Sequence, residues 1–385
     1  MSNPRVNPAV LLSPVEDGYV AYDPVSDRLH QLNAVAALLA ELCDGSRSVA
    51  EVTDLAAPFL PEGQGEAVGR WVTQALDAGL LTGQDGAAAA GELSADALLK
   101  LAKRLREQGK VQTAYICARR AMELDPGMSD GWWDLGEICQ CLGRRDEART
   151  AYGEYLKTHP DDGEIEHLLI ALNDAAPPQR ASDRAIQHIY RNFAASYEER
   201  MLEDLKYAGP QRMIEALDGV TGGRGDLVTL DLGCGSGLTG LTFRPRAAHL
   251  TGIDLSPEMV ELARARGIYD TLEVAEVTVW LEDGDSLFDL VVSTDVIIYF
   301  GDLAAITAAV ARRLKPGGYF AFSTELGARA PFHLTDTGRY NHHPDHVREA
   351  AAAAGLAVES LSQAFLRMEY GEEVMGLFAV LRKPG

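Results

Sequence analysis

The stretch LVTLDLGCGSGLTGLTFRPRAAHLTGIDL, Leu227 to Leu255, restricts what this chain can fold into more than any other part of it. Apolar, partly β-branched residues (Leu227, Val228, Leu230, Leu232) predict a strand that breaks into a glycine turn at Gly233, Gly235 and Gly237. A short helical segment follows, and a second strand-like run from Leu250 ends on Asp254, 23 positions after Asp231. Strand, glycine turn, helix and acid-terminated strand form the nucleotide-site layout of a doubly wound α/β sheet. Glycines there let the backbone approach a ligand where a Cβ would collide.

The residues beyond it keep alternating. Helices are predicted over 257–266, 302–314 and 345–354, and strands over 271–275, 288–293 and 319–324, with two final strands over 357–366 and 373–382. That order implies a Rossmann-like, mainly parallel seven-stranded sheet covered on both faces. Helical stretches over 183–205 and 209–217 precede it.

The 385 residues carry 57 acidic and 35 basic side chains, a formal charge of -22, with no lysine or arginine block. Such a chain repels a nucleic-acid backbone, so DNA and RNA are excluded as partners and a peptide or small-molecule acceptor fits better. Five cysteines, an odd number set inside regular elements, point to free thiols in the cytoplasm. No apolar run reaches the roughly 20 residues of a membrane span, and the amino terminus lacks a signal-peptide core.

Residues 1–82 read as a small α+β domain. Apolar runs at Ala9–Leu12, Tyr19–Tyr22 and Leu29–Leu32 predict a three-stranded meander. Asn33 and Ser48 are placed to cap two helices, and a third is predicted over 65–79. The whole is winged-helix-like. HQLNAVAALLAELCDGSRSVAEV, His30 to Val52, resembles the coenzyme PQQ synthesis protein D (PqqD-like) family, whose small domains recognise leader segments of ribosomally made precursor peptides. The resemblance implies that a leader adds as a strand beside 28–32 and packs against 65–80.

Residues 83–92, GQDGAAAAGE, form a linker by composition. Over 93–180 an internal repeat emerges: Leu101 and Leu135, Gly109 and Gly143, Ala114 and Ala148, and Pro126 and Pro160 are each 34 apart. The period, with Trp132, Gly136 and Tyr152 at their offsets, resembles the tetratricopeptide repeat, here a short all-α arm of two repeats plus a helix near 164–172. A spacer role is favoured over peptide binding.

Within 181–385, LDLGCGSG, GIDLSPEMVELAR and LKPGGYFAFST together resemble the class I S-adenosylmethionine-dependent methyltransferases. The resemblance implies S-adenosylmethionine as cofactor, its methionine part over Gly233, Gly235 and Gly237 with Asp231 as an acceptor near the ammonium group. Asp254 then takes the ribose hydroxyls, Leu255 and Met259 the adenine face, and Glu276, with Val277 beside it, the adenine amino group. RAIQHIYRNFAASYEERMLEDLKYAGP is similar to a repeat-bearing bacterial subgroup in which the helix before the core is a lid, placing Tyr190, Phe193 and Tyr197 near the cofactor.

Candidate bases are His342, His343 and Tyr299, with Glu325 as a further pocket acid; His342 is the leading one. HHPDH lacks a cysteine or carboxylate set at ligand spacing, so no metal is expected. The combined reading is an enzyme that methylates a precursor peptide recruited by its front domain. The alternatives are a small-molecule methyltransferase with a scaffold or dimerisation unit in front, and a non-enzymatic cofactor-sensing adaptor.

Overall fold

A computed structural model describes residues 3–15, 18–60, 65–83, 93–173, 176–369 and 371–385. The expected linker, Gly83 excepted, lies outside the described residues, as does the Phe193 side chain. The chain divides into two compact units, Met1–Thr158 and His159–Gly385.

In the first unit, β1 (Arg5–Val6) is followed by an antiparallel sheet of β2 (Leu11–Val15), β3 (Gly18–Asp23) and β4 (Arg28–Asn33), in that spatial order. Asn33 ends the sheet and starts α1 (Ala34–Leu42), its Oδ1 accepting the Ala36 N–H at 2.9 Å. Ser48 and Glu51 form a capping box that opens α2 (Val49–Ala56). α3 (Gly65–Asp77) leads into β5 (Leu81–Thr82), which pairs back with β1. Leu39, Val52, Val68 and Val72 close one core between these helices and the sheet.

Four helices complete the unit: α4 (Ala95–Glu107), α5 (Val111–Leu124), α6 (Ser129–Cys141) and α7 (Arg145–Leu156). They pair as two hairpins, α4 with α5 and α6 with α7. Gly109 and Gly143 take left-handed φ values of 74° and 67° in equivalent turns, and Ala114 and Ala148 are fully buried in equivalent helices. The 34-residue period therefore repeats a backbone geometry as well as a packing position.

The helix near 164–172 falls in the second compact unit. α8 (Gly163–Leu172) is held there because His167 Nε2 bonds the Gly338 carbonyl at 2.9 Å and Ala171 packs with Leu334 and Tyr340. The two compact units meet at 158/159.

α9 (Asp183–Phe193) continues through a 3-10 turn, the short α10 (Tyr197–Glu199) and a π-helical turn over Arg200–Asp204, then α11 (Gly209–Thr221) precedes the sheet. The α/β order is β6 (Leu227–Leu232), α12 (Leu238–Phe243), β7 (Ala247–Asp254), α13 (Pro257–Arg266), β8 (Thr271–Val274), α14 (Val277–Asp283), β9 (Phe288–Ser293), α15 (Ala304–Arg313) and β10 (Leu314–Leu326). It ends with β11 (Phe332–Leu334), β12 (Tyr340–His342), α16 (Pro344–Ala353), β13 (Ala357–Glu369) and β14 (Glu372–Arg382).

β8, β7, β6, β9 and β10 run parallel, and β14 then β13 extend the sheet antiparallel. These are the seven expected strands, but the sheet has nine among the described residues. The β11–β12 hairpin adds two, joining the end of β10 through Glu325 opposite Asn341. Three-residue strands rich in His and Asn carry no alternation from which to predict them. The order reverses between β6 and β9, which puts the ligand crevice at the carboxyl ends of those strands.

Candidate active site

The glycine turn is tied to the neighbouring strand before it meets any ligand. The Gly233 and Cys234 N–H groups both donate to the Ile253 carbonyl at 2.9 Å. Gly235 N–H donates to Asp254 Oδ2 at 2.8 Å, and Ser256 N–H donates to Oδ1 at 2.9 Å, so Asp254 is fixed at the crevice mouth. Gly233 needs its bare Cα because a Cβ would run into Val296 Cγ2, whereas one on Gly235 would have only Tyr197 Oη at 3.8 Å within reach. Gly235 therefore presents backbone to open space.

That space is a cleft enclosing about 620 Å³, counting its open mouth. Gly233, Gly235, Asp254, Leu255, Glu276, Val277 and Tyr197 line it. Tyr299 lines it too, its hydroxyl 3.1 Å from that of Tyr190, and burial pushes its phenol upward in pKa. Glu276 is drawn into the cleft as the N-cap of α14, where Oε2 accepts the Val279 N–H at 2.8 Å. Arg180 stands 3.9 Å from its other oxygen. The sequence VTVWLED is rich in β-branched residues, which is why this helix is not legible beforehand.

Three expected cofactor residues lie outside the cleft lining. Asp231 is fully buried and accepts the Tyr269 hydroxyl at 2.6 Å through Oδ2, leaving Oδ1 without a partner. Burial raises its carboxyl to about 7. Gly237 lies against Arg266 and Tyr269, and Met259 is a fully buried core residue at the start of α13. The exposed-facing positions of that turn belong to Gly233 and Gly235.

His342, the leading candidate base, does not line the cleft. Its side chain is buried, Nδ1 pairs with Thr324 Oγ1 at 2.6 Å, Nε2 with the Gly301 carbonyl at 3.1 Å, and its ring stacks on His346 at 5.6 Å. Burial lowers its pKa to about 4. Both nitrogens are occupied in the neutral form, so the residue pins the β11–β12 hairpin to the sheet.

Two features went unread in the sequence. Arg266 donates from Nε to the Ser236 carbonyl at 2.7 Å and from Nη2 to Glu198 at 2.6 Å, joining the glycine turn to the segment that carries Tyr197. Behind the cleft lies a buried ionic cluster around Arg367, which meets Asp295 at 3.0 Å and also Glu325 and Glu369. Nothing in a strand-like run such as FLRME marks its arginine as inward-facing.

The residues fit S-adenosylmethionine: a bare-backbone cradle at Gly235, a fixed acid at Asp254, apolar walls at Leu255 and Val277, and an acidic lining suited to a cation. The comparisons agree. The family described as a methyltransferase domain matches residues 230–322, and a tetratricopeptide repeat matches 129–172. Over 169 residues the chain is 33% identical to a ubiquinone biosynthesis O-methyltransferase of Xanthomonas oryzae pv. oryzae (strain PXO99A), covering 38% of this chain and 71% of that one. The Xylella fastidiosa (strain 9a5c) protein of the same name is 31% identical over 183 residues, 40% of this chain and 73% of its own. Among solved structures, the N-methyltransferase NodS from Bradyrhizobium japonicum WM9, in complex with S-adenosyl-L-homocysteine, is 19% identical with a TM-score of 0.42, over 52% of this chain and 98% of that one. On its identity to relatives that it covers over most of their length, and on the matching domain, the chain belongs to the S-adenosylmethionine-dependent methyltransferases.

Proposed function

We propose that this methyltransferase acts on a ribosomally made precursor peptide captured by its first 82 residues, acting as a PqqD-like, winged-helix-like domain, with the repeats as spacer. The observation that carries this reading is the outer edge of β4. Among the described residues β4 pairs with β3 alone, and its Leu29 is 52% exposed. An open edge with an exposed apolar side chain suits strand addition, in which main-chain pairing gives affinity and side chains give specificity. Holding the peptide on the same chain as the catalyst raises its local concentration.

Bound cofactor supplies an activated methyl group. The chain's own part is to hold and align: Asp254 receives the ribose hydroxyls, Glu276 the adenine amino group, Leu255 and Val277 the ring faces, and Tyr197 covers the Gly235 cradle. Tyr299 contacts the acceptor, and closure of the cleft excludes water. Set in the cytoplasm, the enzyme keeps its five cysteines as the free thiols they are.

The names of the relatives favour a second reading, O-methylation of a small phenolic acceptor. Calorimetry of the full chain against the peptide encoded by a neighbouring short reading frame separates the two. Binding that Leu29→Asp weakens at least tenfold supports the peptide. Absence of binding heat, together with methyl transfer to a catechol, establishes the small-molecule reading. Membership of an enzyme family removes the adaptor.

A further inference from the structure

Asp295 stands two residues past the end of β9, after Thr294, and lines the cleft with a φ of 59°, in the left-handed region where non-glycine residues are uncommon and functional sites store strain. The next residue, Val296, is the one packed against Gly233, so Asp295 stands beside the glycine turn. Two contacts fix it: its N–H donates to Ser323 Oγ at 3.1 Å, and its Oδ1 accepts from Arg367 Nη1 at 3.0 Å. Arg367 is 1% exposed and reaches inward because the pairing of β13 with β14 shifts register between Phe365 and Arg367. A bulge of this kind re-aims a side chain.

Arg367 is not reserved for Asp295. It also serves Glu325 and Glu369, and Glu369 pairs in turn with Arg339. Three carboxylates thus share two guanidiniums. Of the three, Asp295 is the one that lines the cleft. Its carboxylate is held at the ligand space by a buried guanidinium.

We infer that Asp295 is the residue by which the cleft tells the charged cofactor from its spent form, with Arg367 positioning it. S-adenosylmethionine carries a sulfonium cation, and the thioether left after methyl transfer is neutral, the two being otherwise alike. A carboxylate lining a partly buried cleft would favour a cationic ligand over its neutral analogue. The product is then released because the charge that held its precursor has gone.

Isothermal calorimetry on the full chain with S-adenosylmethionine, sinefungin and S-adenosylhomocysteine tests this. Sinefungin places an ammonium group where the sulfonium methyl stands. Asp295→Asn keeps the shape, and asparagine accepts left-handed backbone. The ratio of the S-adenosylhomocysteine Kd to the Kd of either cationic ligand should fall about tenfold in Asp295→Asn, with S-adenosylhomocysteine affinity unchanged within about twofold. Equal weakening of all three ligands, or an unchanged ratio, overturns the inference. If Asp295→Asn does not fold, Asp295→Gly, which suits the same φ, gives the same readout. Arg367→Lys, which keeps the charge but not the fork, should lower the ratio by a smaller factor; a ratio equal to wild type removes its positioning role.

Discussion

Leu366 and Arg367 are neighbours on one strand, and both are buried, at 0% and 1% exposure. Strict alternation would send one of them to the opposite face. The register shift in β13 lets Leu366 pack with Met213, Leu217 and Phe378 while Arg367 turns to the carboxylates. Replacing Arg367 with Met removes the cation that three acids share, buried Glu325 among them, and should cost about 3 to 5 kcal/mol in urea unfolding. A loss below about 1 kcal/mol would mean the cluster is hydrated.

The two cleft glycines should fail differently. Gly233→Ala drives a Cβ into Val296 at a φ of 74°, so it should lower stability by about 1 to 3 kcal/mol even without ligand. Gly235→Ala has room in the protein, its nearest neighbour being Tyr197 Oη at 3.8 Å. It should keep most of its stability, apart from about 1 kcal/mol of left-handed strain, and lose cofactor affinity at least tenfold. Melting temperatures of the ligand-free variants beside calorimetric Kd values check the contrast.

Asp231 makes stability depend on pH in a definite direction. Its carboxyl rises from 3.8 to about 7 on folding, burial being the main cause and the Tyr269 hydroxyl opposing it. The folded state therefore holds a proton that the unfolded state has released. That contribution is complete below about pH 4 and is lost as pH rises to about 7, on the order of 4 kcal/mol in all. Asp231→Asn should flatten this part of the profile of unfolding free energy against pH; a profile of the same slope in the variant rules Asp231 out as its source.

His342 gives the opposite slope. Its folded pKa of about 4 lies below the ordinary 6.5, so its contribution is present above pH 6.5 and fades as pH falls toward 4. His342→Ala leaves the Thr324 hydroxyl unpaired and opens a hole under the hairpin, for a loss of about 2 to 4 kcal/mol. Cofactor Kd should stay within twofold, since His342 does not line the cleft. A pronounced rise in Kd at unchanged stability would restore it to the site.

Much of this architecture could be read from residue order. The bounds 227–232, 257–266 and 288–293 emerge as predicted because each is a clean apolar or helical run closed by a strong signal, such as the Gly-rich turn after Leu232 or Gly267 in left-handed conformation after Arg266. Gly233, Gly235, Asp254, Leu255, Glu276, Val277 and Tyr197, named together through the resemblance, do line one cleft. What escaped depends on partners far along the chain. Asp231 and Asp254 look alike in sequence, yet only Asp254 ends at the mouth, because Tyr269 claims the other. His342, the leading candidate base in the sequence, has Thr324 and Gly301 as its neighbours in space, which sequence distance conceals.

The helical segment over the cleft is fastened at both ends by main-chain bonds. At its start, Ala181 N–H donates to the Tyr299 carbonyl at 2.8 Å and Gly301 N–H to Gln179 at 2.7 Å. At its end, Ala208 N–H donates to the Leu366 carbonyl at 2.9 Å and Met368 N–H to Leu205 at 2.6 Å. A drawbridge has one hinge; this is a strap buckled on either side. In its middle the helix changes pitch from 3-10 at Ala194–Ser196 to π at Arg200–Asp204, and the far buckle is the very strand that carries Arg367. The strap and the buried cation thus share one anchor.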